Sequence, residues 1–237
     1  MLSILYGDDY LVAVDKPPGL LVHRTGLDAG ETRFALQMLR DQLDRPVWPV
    51  HRLDKGTSGV LLFALDALTA RAMGQAFEAG EGLRKAYHAV VRGWPTGEGL
   101  IDHPLRRMPD DMRHQREEVQ EALTRYRTLE RYELPLPQGQ FPTTRCALVE
   151  LSPMTGRRHQ LRRHMKHIAH PIIGDATHGK GPLNRDLAAQ LGLQRLWLHA
   201  YQLEFRHPIS GEVVRLEANH GAEWDRWHPH ALRVTPI

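Results

Sequence analysis

The stretch "HRLDKGTSGVLLFAL", residues 51–65, sets four ionisable side chains, His51, Arg52, Asp54 and Lys55, immediately before a continuous apolar run. A chain entering a core normally sheds its charges first. The run from Val60 to Asp66 is short and uninterrupted, which predicts a buried strand, so the charged residues before it must form a loop held at the edge of a core. Arg52 and Lys55 flank Asp54, and Gly56, Thr57 and Ser58 follow with backbone and hydroxyl donors. Such surroundings favour the charged carboxylate. A carboxylate kept charged and accessible suits a nucleophile or an electrostatic stabiliser. An aspartate that caps its own turn has the same local signature. From these residues alone both readings stand.

Outward from this loop the pattern is rich in strands. "YLVAVDKPPGLLVH" (10–23) predicts two short strands hinged at Lys16-Pro17-Pro18-Gly19, and "ETRFALQMLRDQL" (31–43) has helical spacing. Asp66 and Gly80 bracket a second helix as N-cap and C-cap, with Leu68, Ala72, Met73, Ala76 and Phe77 expected on its inner face. Strands are expected at 85–94, ended by Gly93, at 122–132, at 143–153 and at 195–205. Between the first two of these, residues 106–121 are polar and charged without periodicity, and predict an exposed insertion. With many strands, few helices and no regular strand–helix alternation, the fold class is α+β, a single domain over 1–237.

Composition narrows the functional classes. The chain has 237 residues, 25% of them charged and 41% hydrophobic, a globular balance. A formal charge of +3 with fifteen histidines permits a polyanionic partner. One cysteine, Cys146, excludes an intramolecular disulfide and a cysteine-cluster metal site. The opening "MLSILYGDDYLVAVD" lacks a basic leader, and no apolar run is long enough for a membrane span, so a soluble cytoplasmic protein is expected.

A second charged feature is "TGRRHQLRRHMKH" (155–167), with five cations and no acid. As a helix it would carry Arg158 and Arg162 on one face and Leu161, Met165 and Ile168 on another. Unbalanced guanidinium density suits phosphate contacts, although a solvated helix face has the same composition. His159, His164, His167 and His170 do not make a metal site, because the neighbouring cations would repel the ion and no carboxylate balances it. "GDATHGKG" (174–181) nearly spells a phosphate-binding loop, but Gly181 stands where a magnesium-binding hydroxyl is needed. Tyr87 is expected half-buried on its strand, able to stack on an unstacked base.

Taken together, the motifs resemble a known family. "HRLDKGTSG" is similar to the signature of the RluA-type pseudouridine synthases, and so, in the same order along the chain, are "KPPGLLVH", "KAYHAVVRG", "TGRRHQLRRH", "HPIIGD" and "RLWLHA", spanning residue 16 to about 208. The resemblance implies the family's catalytic domain, with a mainly antiparallel mixed sheet flanked by helices and loops and no S4 RNA-binding domain before it. It implies isomerisation of uridine to pseudouridine without cofactor or metal and, in the subgroup that the chain most resembles, on a tRNA substrate at position 65. A monomer is expected. It makes Asp54 the catalytic residue, Arg162 its ion-pair partner, Tyr87 the ring that stacks on the target uracil, and Arg52 the side chain that fills the gap left by the base. Residues 106–121 match no motif of the family. A ribosomal-RNA target, a non-catalytic RNA-binding module and a retaining glycosidase using Glu150 or Asp175 as second carboxylate are the competing readings.

Overall fold

The computed structural model describes residues 1–24, 30–80, 82–108 and 118–232. Along the chain run β1 (Ser3–Gly7), β2 (Leu11–Lys16), α1 (Ala35–Leu43), β3 (Trp48–Pro49), β4 (Ser58–Ala64), α2 (Ala67–Ala79), β5 (Arg84–Arg92) and β6 (Glu98–Asp102). They continue with β7 (Leu105–Arg106), β8 (Val119–Gln120), β9 (Leu123–Leu134), β10 (Thr144–Pro153), α3 (Gln160–His167), α4 (Gly181–Leu191), β11 (Leu198–Arg206) and β12 (Val213–Glu217). A 3₁₀ helix (Ala222–His230) leads into β13 (Ala231–Leu232).

One large sheet carries the order β1-β2-β4-β11-β5-β10-β9-β13, with β3, β6 and β12 pairing beside β4, β9 and β11. Among the described residues every pairing is antiparallel except β4 with β11, where Ser58 faces His199 and Gly59 faces Ala200. The α+β expectation therefore holds. That parallel contact joins the two halves of the sheet and lines up a row of residues across it. Lys16 faces Gly59, Gly59 faces Ala200, Ala200 faces Tyr87 and Tyr87 faces Leu151. Residues distant in sequence, including the candidate ring Tyr87, thus reach the strand that follows Asp54.

β4 is buried along its whole length, as its uninterrupted apolar run predicts. It also contains Gly59, at φ +105°, where a Cβ would lie 2.2 Å from the carbonyl oxygen of Ala200. Only glycine lets the two backbones approach this closely. Gly174 (φ +78°) is similar, since its Cβ would overlap the carbonyl of Arg195.

Several local expectations need correction. After Gly19 the chain forms no second strand; Leu21 makes one isolated bridge to Phe34, because the Lys16 side chain draws Pro17 and Leu20 carbonyls inward and curls the segment. The first helix begins at Ala35 rather than residue 31. In α2 Asp66 caps Thr69 as expected, but the buried residues are Thr69 and Met73, while Leu68 is 82% exposed and Ala72 is also outside. The inner face is rotated by about one residue from the apolar pattern. The strand near residue 195 starts at Leu198, since Arg195 is taken up in a buried contact with Ser58. Helix α4 was not legible as a helix at all. Within 106–121 the described residues form a short ribbon, β7 with β8, and the rest, 109–117, lies outside the described residues.

Candidate active site

Asp54 sits on the loop between β3 and β4, and three anchors fix that loop. Leu53 is buried in the core beside Ala200 and Phe63. A turn closes when the Thr57 amide donates to the Asp54 carbonyl at 3.0 Å. Lys16, fully buried, donates its three ammonium protons to the carbonyls of Pro17 (2.9 Å), Leu20 (2.8 Å) and Lys55 (3.3 Å). Burial pulls its pKa down to about 7, and the negative charge of Asp54 acts in the opposite direction. The "KPPG" segment is therefore a clamp on the Asp54 loop, reinforced by the Gly19 amide on the Lys55 carbonyl at 2.8 Å.

The carboxylate faces a cleft of about 900 Å³ whose lining includes Arg52, Tyr87, Arg158, His159 and Arg162. Arg162, from the first turn of α3, donates from Nη1 to Asp54 Oδ2 at 2.9 Å. Its other edge forms two parallel bonds to Asp175, Nε to Oδ2 at 2.7 Å and Nη2 to Oδ1 at 2.8 Å. Burial opposes the charge on Arg162, but Asp175 and Asp54 outweigh it and hold its pKa above the ordinary arginine value. Burial likewise opposes the charge on Asp175, but Arg162 and the backbone amides of Thr177 and His178, which donate to Oδ1 at 2.9 Å each, hold its pKa below the ordinary aspartate value. This forked geometry requires arginine, since lysine is a point donor.

His159 completes the surroundings, with Nε2 3.7 Å from Asp54 Oδ1 and Nδ1 3.1 Å from Nε2 of His178. It occupies the left-handed region at φ 54°, which turns the chain into α3 so that Arg162 points inward. Burial lowers its pKa to about 4, against the pull of Asp54, so the ring is neutral at pH 7. Gln160 pins the same corner to β9, donating to the Leu123 carbonyl at 2.9 Å and accepting from the Arg157 amide at 3.0 Å.

Tyr87 is half-buried on β5 and opens on the cleft. Burial first, and then Asp54, push its hydroxyl pKa well above the usual tyrosine value, so it stands as a neutral phenol. Arg52 is exposed at the cleft mouth. All four residues singled out in the sequence therefore meet at one site.

The sequence reading of "TGRRHQLRRHMKH" changes here. Arg158 precedes α3 instead of sharing its face with Arg162. Arg162 is only 8% exposed, and its balancing acids come from Asp54 and Asp175, far away in sequence. It is an internal ion-pair hub and not a surface phosphate ligand. Lys55, expected beside Asp54, extends to Glu31 at 2.5 Å. Asp175 and Glu150 do not fit an acid/base role beside Asp54: Asp175 is committed to Arg162, and Glu150 pairs with Arg127 at 3.4 Å on β9. His51 is explained as a support. Its Nε2 accepts from the Leu62 amide at 3.1 Å and its ring stacks on Phe77.

Sequence reasoning missed Lys16, His159, Asp175 and His178 as parts of this centre. Their signals were present in "KPPG", in the histidine of "GRRHQLR" and in "GDATH", but no spacing rule connects them to Asp54.

Against known proteins, residues 10–167 match the RNA pseudouridylate synthase family. The chain belongs to that family. Its type is RluA, as the ordered motifs imply. Among curated relatives it is 48% identical over 228 residues to tRNA pseudouridine synthase C of Vibrio cholerae, covering 94% of this chain and 93% of that one. It is 47% identical over 230 residues to tRNA pseudouridine synthase C of Haemophilus influenzae, covering 95% and 96%. The structure of Human RNA Pseudouridylate Synthase Domain Containing 4 is similar with a TM-score of 0.71 at 28% identity, covering 95% of this chain and 93% of that one. Human RNA Pseudouridylate Synthase Domain Containing 1 also gives 0.71, at 27% identity, covering 93% and 84%. The synthase is accordingly an isomerase with the pseudouridine synthase fold.

Proposed function

We propose that this synthase isomerises a uridine in tRNA, at position 65, with Asp54 as its catalytic carboxylate. The observation that carries the reading is the buried Arg162 bound on one side to Asp175 and on the other to Asp54. The tRNA assignment is supported by relatives called tRNA pseudouridine synthase C that align end to end with this chain.

Pseudouridine formation breaks the N1–C1′ bond of uridine, turns the uracil and rejoins it through C5. No electron or external group is exchanged, so the chemistry asks for position and charge. The target base must first leave its stack, at a cost of a few kcal/mol that filling the gap and stacking the base can offset. Arg52, at the mouth, is the side chain placed to occupy the gap, and Tyr87 offers a ring inside. Tyr87 is a neutral phenol, so it stacks and donates a hydrogen bond instead of acting as a base.

Entry of RNA strips water from the cleft, so the Asp54 carboxylate needs a counter-charge within the protein. Arg162 supplies it, and Asp175 fixes Arg162 so that the counter-charge is already in place before substrate arrives. Attack at C1′, attack at C6 and removal of the 2′ proton all require an anionic Asp54 at the sugar edge of the flipped nucleotide. The neutral His159 beside Oδ1 leaves that oxygen available, while Oδ2 is held by Arg162.

The test is carbodiimide mapping of pseudouridine in tRNA and ribosomal RNA from cells with and without the gene. Loss of the stop at tRNA position 65 alone, restored by the intact gene, is the expected result. An unchanged position 65 with a lost ribosomal site would transfer the assignment to ribosomal RNA.

A further inference from the structure

Residues 195–197 stand between the two segments that carry Asp54 and Asp175. On one side Arg195 donates from Nη2 to the Ser58 hydroxyl at 2.8 Å. Leu196 fits against Gly56, where a Cβ would come within 3.0 Å of the Leu196 Cβ. On the other side the Trp197 amide donates to the Ile173 carbonyl at 3.0 Å, and a Cβ on Gly174 would overlap the Arg195 carbonyl. Gly56 and Ser58 follow Asp54 in its loop, while Ile173 and Gly174 lead into Asp175. We propose that Arg195 is a positioning residue for the isomerisation, holding the Asp54 loop at the distance from Asp175 that Arg162 spans. The proposal rests on the reading of Asp54 above and adds to it a residue that does not line the cleft.

The contact with Ser58 is directional. Arginine only donates, so Ser58 Oγ accepts from Arg195 and gives its single proton to His199 Nδ1 at 2.8 Å. His199 Nε2 then donates to the Ala218 carbonyl at 2.9 Å. Arg195, Ser58 and His199 are 8%, 4% and 2% exposed, so bulk water does not replace a bond lost here. The guanidinium is itself fixed from several sides. Its Nε donates to the Leu196 carbonyl at 3.1 Å, Nη1 pairs with Glu223, and the ring centroids of Trp197 and Trp224 lie 5.2 and 5.5 Å away.

The position of Ser58 reaches the carboxylate through the turn in which the Thr57 amide donates to the Asp54 carbonyl. Asp175 holds Arg162 by two bonds and so gives Arg162 Nη1 one place, and Asp54 must come to it. Hydrogen bonds weaken steeply as distance and angle depart from their optimum. A misplacement of about 1 Å at a reacting group costs on the order of 100-fold in rate.

The test compares the full-length wild type with Arg195→Lys, Ser58→Ala and the double variant. Arg195→Lys keeps a charge beside Glu223 and removes the planar fork. Ser58→Ala removes the contact from the other side and leaves Arg195 with Glu223, which keeps the test decisive should Arg195→Lys fold poorly. In each single variant kcat for pseudouridine formation in tRNA should fall at least about tenfold, with KM within about twofold of wild type. The double variant should fall no further than the more impaired single variant, because both changes remove one contact. Hydrogen exchange gives a reading apart from activity. The Thr57 amide should exchange at least about tenfold faster in both single variants, with the amides of β10 unchanged. Faster exchange throughout the sheet, with kcat lost only in proportion to the folded fraction, would make Arg195 a purely structural residue and overturn the proposal. A kcat near that of the wild type, or a lowered kcat with unchanged Thr57 exchange, would overturn it as well. If the wild type forms no pseudouridine, the reading of Asp54 fails separately. The role of Arg195 in holding the loop is then decided by Thr57 exchange, which overturns it if unchanged.

Discussion

Arg162 stands between two carboxylates, and that arrangement decides how its substitutions behave. Removing one partner of a buried ion pair costs about 3–5 kcal/mol because the remaining charge has lost its counter-ion. Arg162→Met would strand Asp175, so lost activity in that variant would mix folding with chemistry. Arg162→Lys is the cleaner probe, since it keeps the charge and removes the fork. Single-turnover tritium release from uridine labelled at C5 should fall at least about 100-fold in this variant, with most of its molecules folded at 25 °C. Near-normal turnover would show that the fork is not needed. In the sequence, only the family resemblance places Arg162. Its own neighbourhood reads as a cationic run, and both of its acids lie elsewhere in the chain. Asp54 was more legible, because charge in front of a buried strand is visible in the sequence itself.

At the scale of elements, the parallel contact of β4 with β11 aligns the site. Strand existence was readable from apolar runs at β4, β5, β9 and β10, and helix α2 from its caps. Which strands would become neighbours was not readable, because β4 and β11 are more than a hundred residues apart and pairing leaves no local signature. Gly59 is the one residue that marks the contact. Gly59→Ala would force a Cβ into the Ala200 carbonyl at a positive φ, and should destabilise the fold by about 2–4 kcal/mol. Urea denaturation measures this directly; a midpoint unchanged from wild type would mean that β4 and β11 do not approach as described. The α2 face was misjudged for a related reason. Thr69 is drawn inward by its bonds to Asp66, and that capping contact turns the helix so that Leu68 faces water.

Over the whole molecule, half-buried histidines set the response to acid. Burial, with Lys85 adding its charge, lowers the pKa of His51 to about 3, and burial brings His88 to about 4 and His220 to about 3. His88 Nδ1 lies 2.9 Å from His220 Nε2, so those two respond together. Since their folded values lie below the ordinary 6.5, the unfolded chain takes up protons first as the pH falls. The contribution of these histidines is complete well above pH 6.5 and declines below it, by up to about 1.4 kcal/mol per pH unit for each histidine kept neutral. The urea midpoint should therefore fall between pH 7 and pH 5, and the fall should be smaller in His51→Gln. Equal midpoints at both values would contradict the burial of these rings. The overall class and the identity of the site were legible across the chain as ordered motifs. The contacts that hold the Asp54 loop and Arg162 in place, from Lys16 through His159 to Asp175, were not, because they exist only after long-range pairing.

We propose that Asp54, held by Arg162, performs the isomerisation. Asp54→Asn keeps the shape and removes the charge, so the variant should bind tRNA with the affinity and salt dependence of the wild type. The deciding measurement is tritium release from tRNA carrying uridine labelled at C5, with wild type and Asp54→Asn compared at equal bound fraction. The wild type should release tritium, and the variant none above background. Release by Asp54→Asn at a rate near that of the wild type would contradict it.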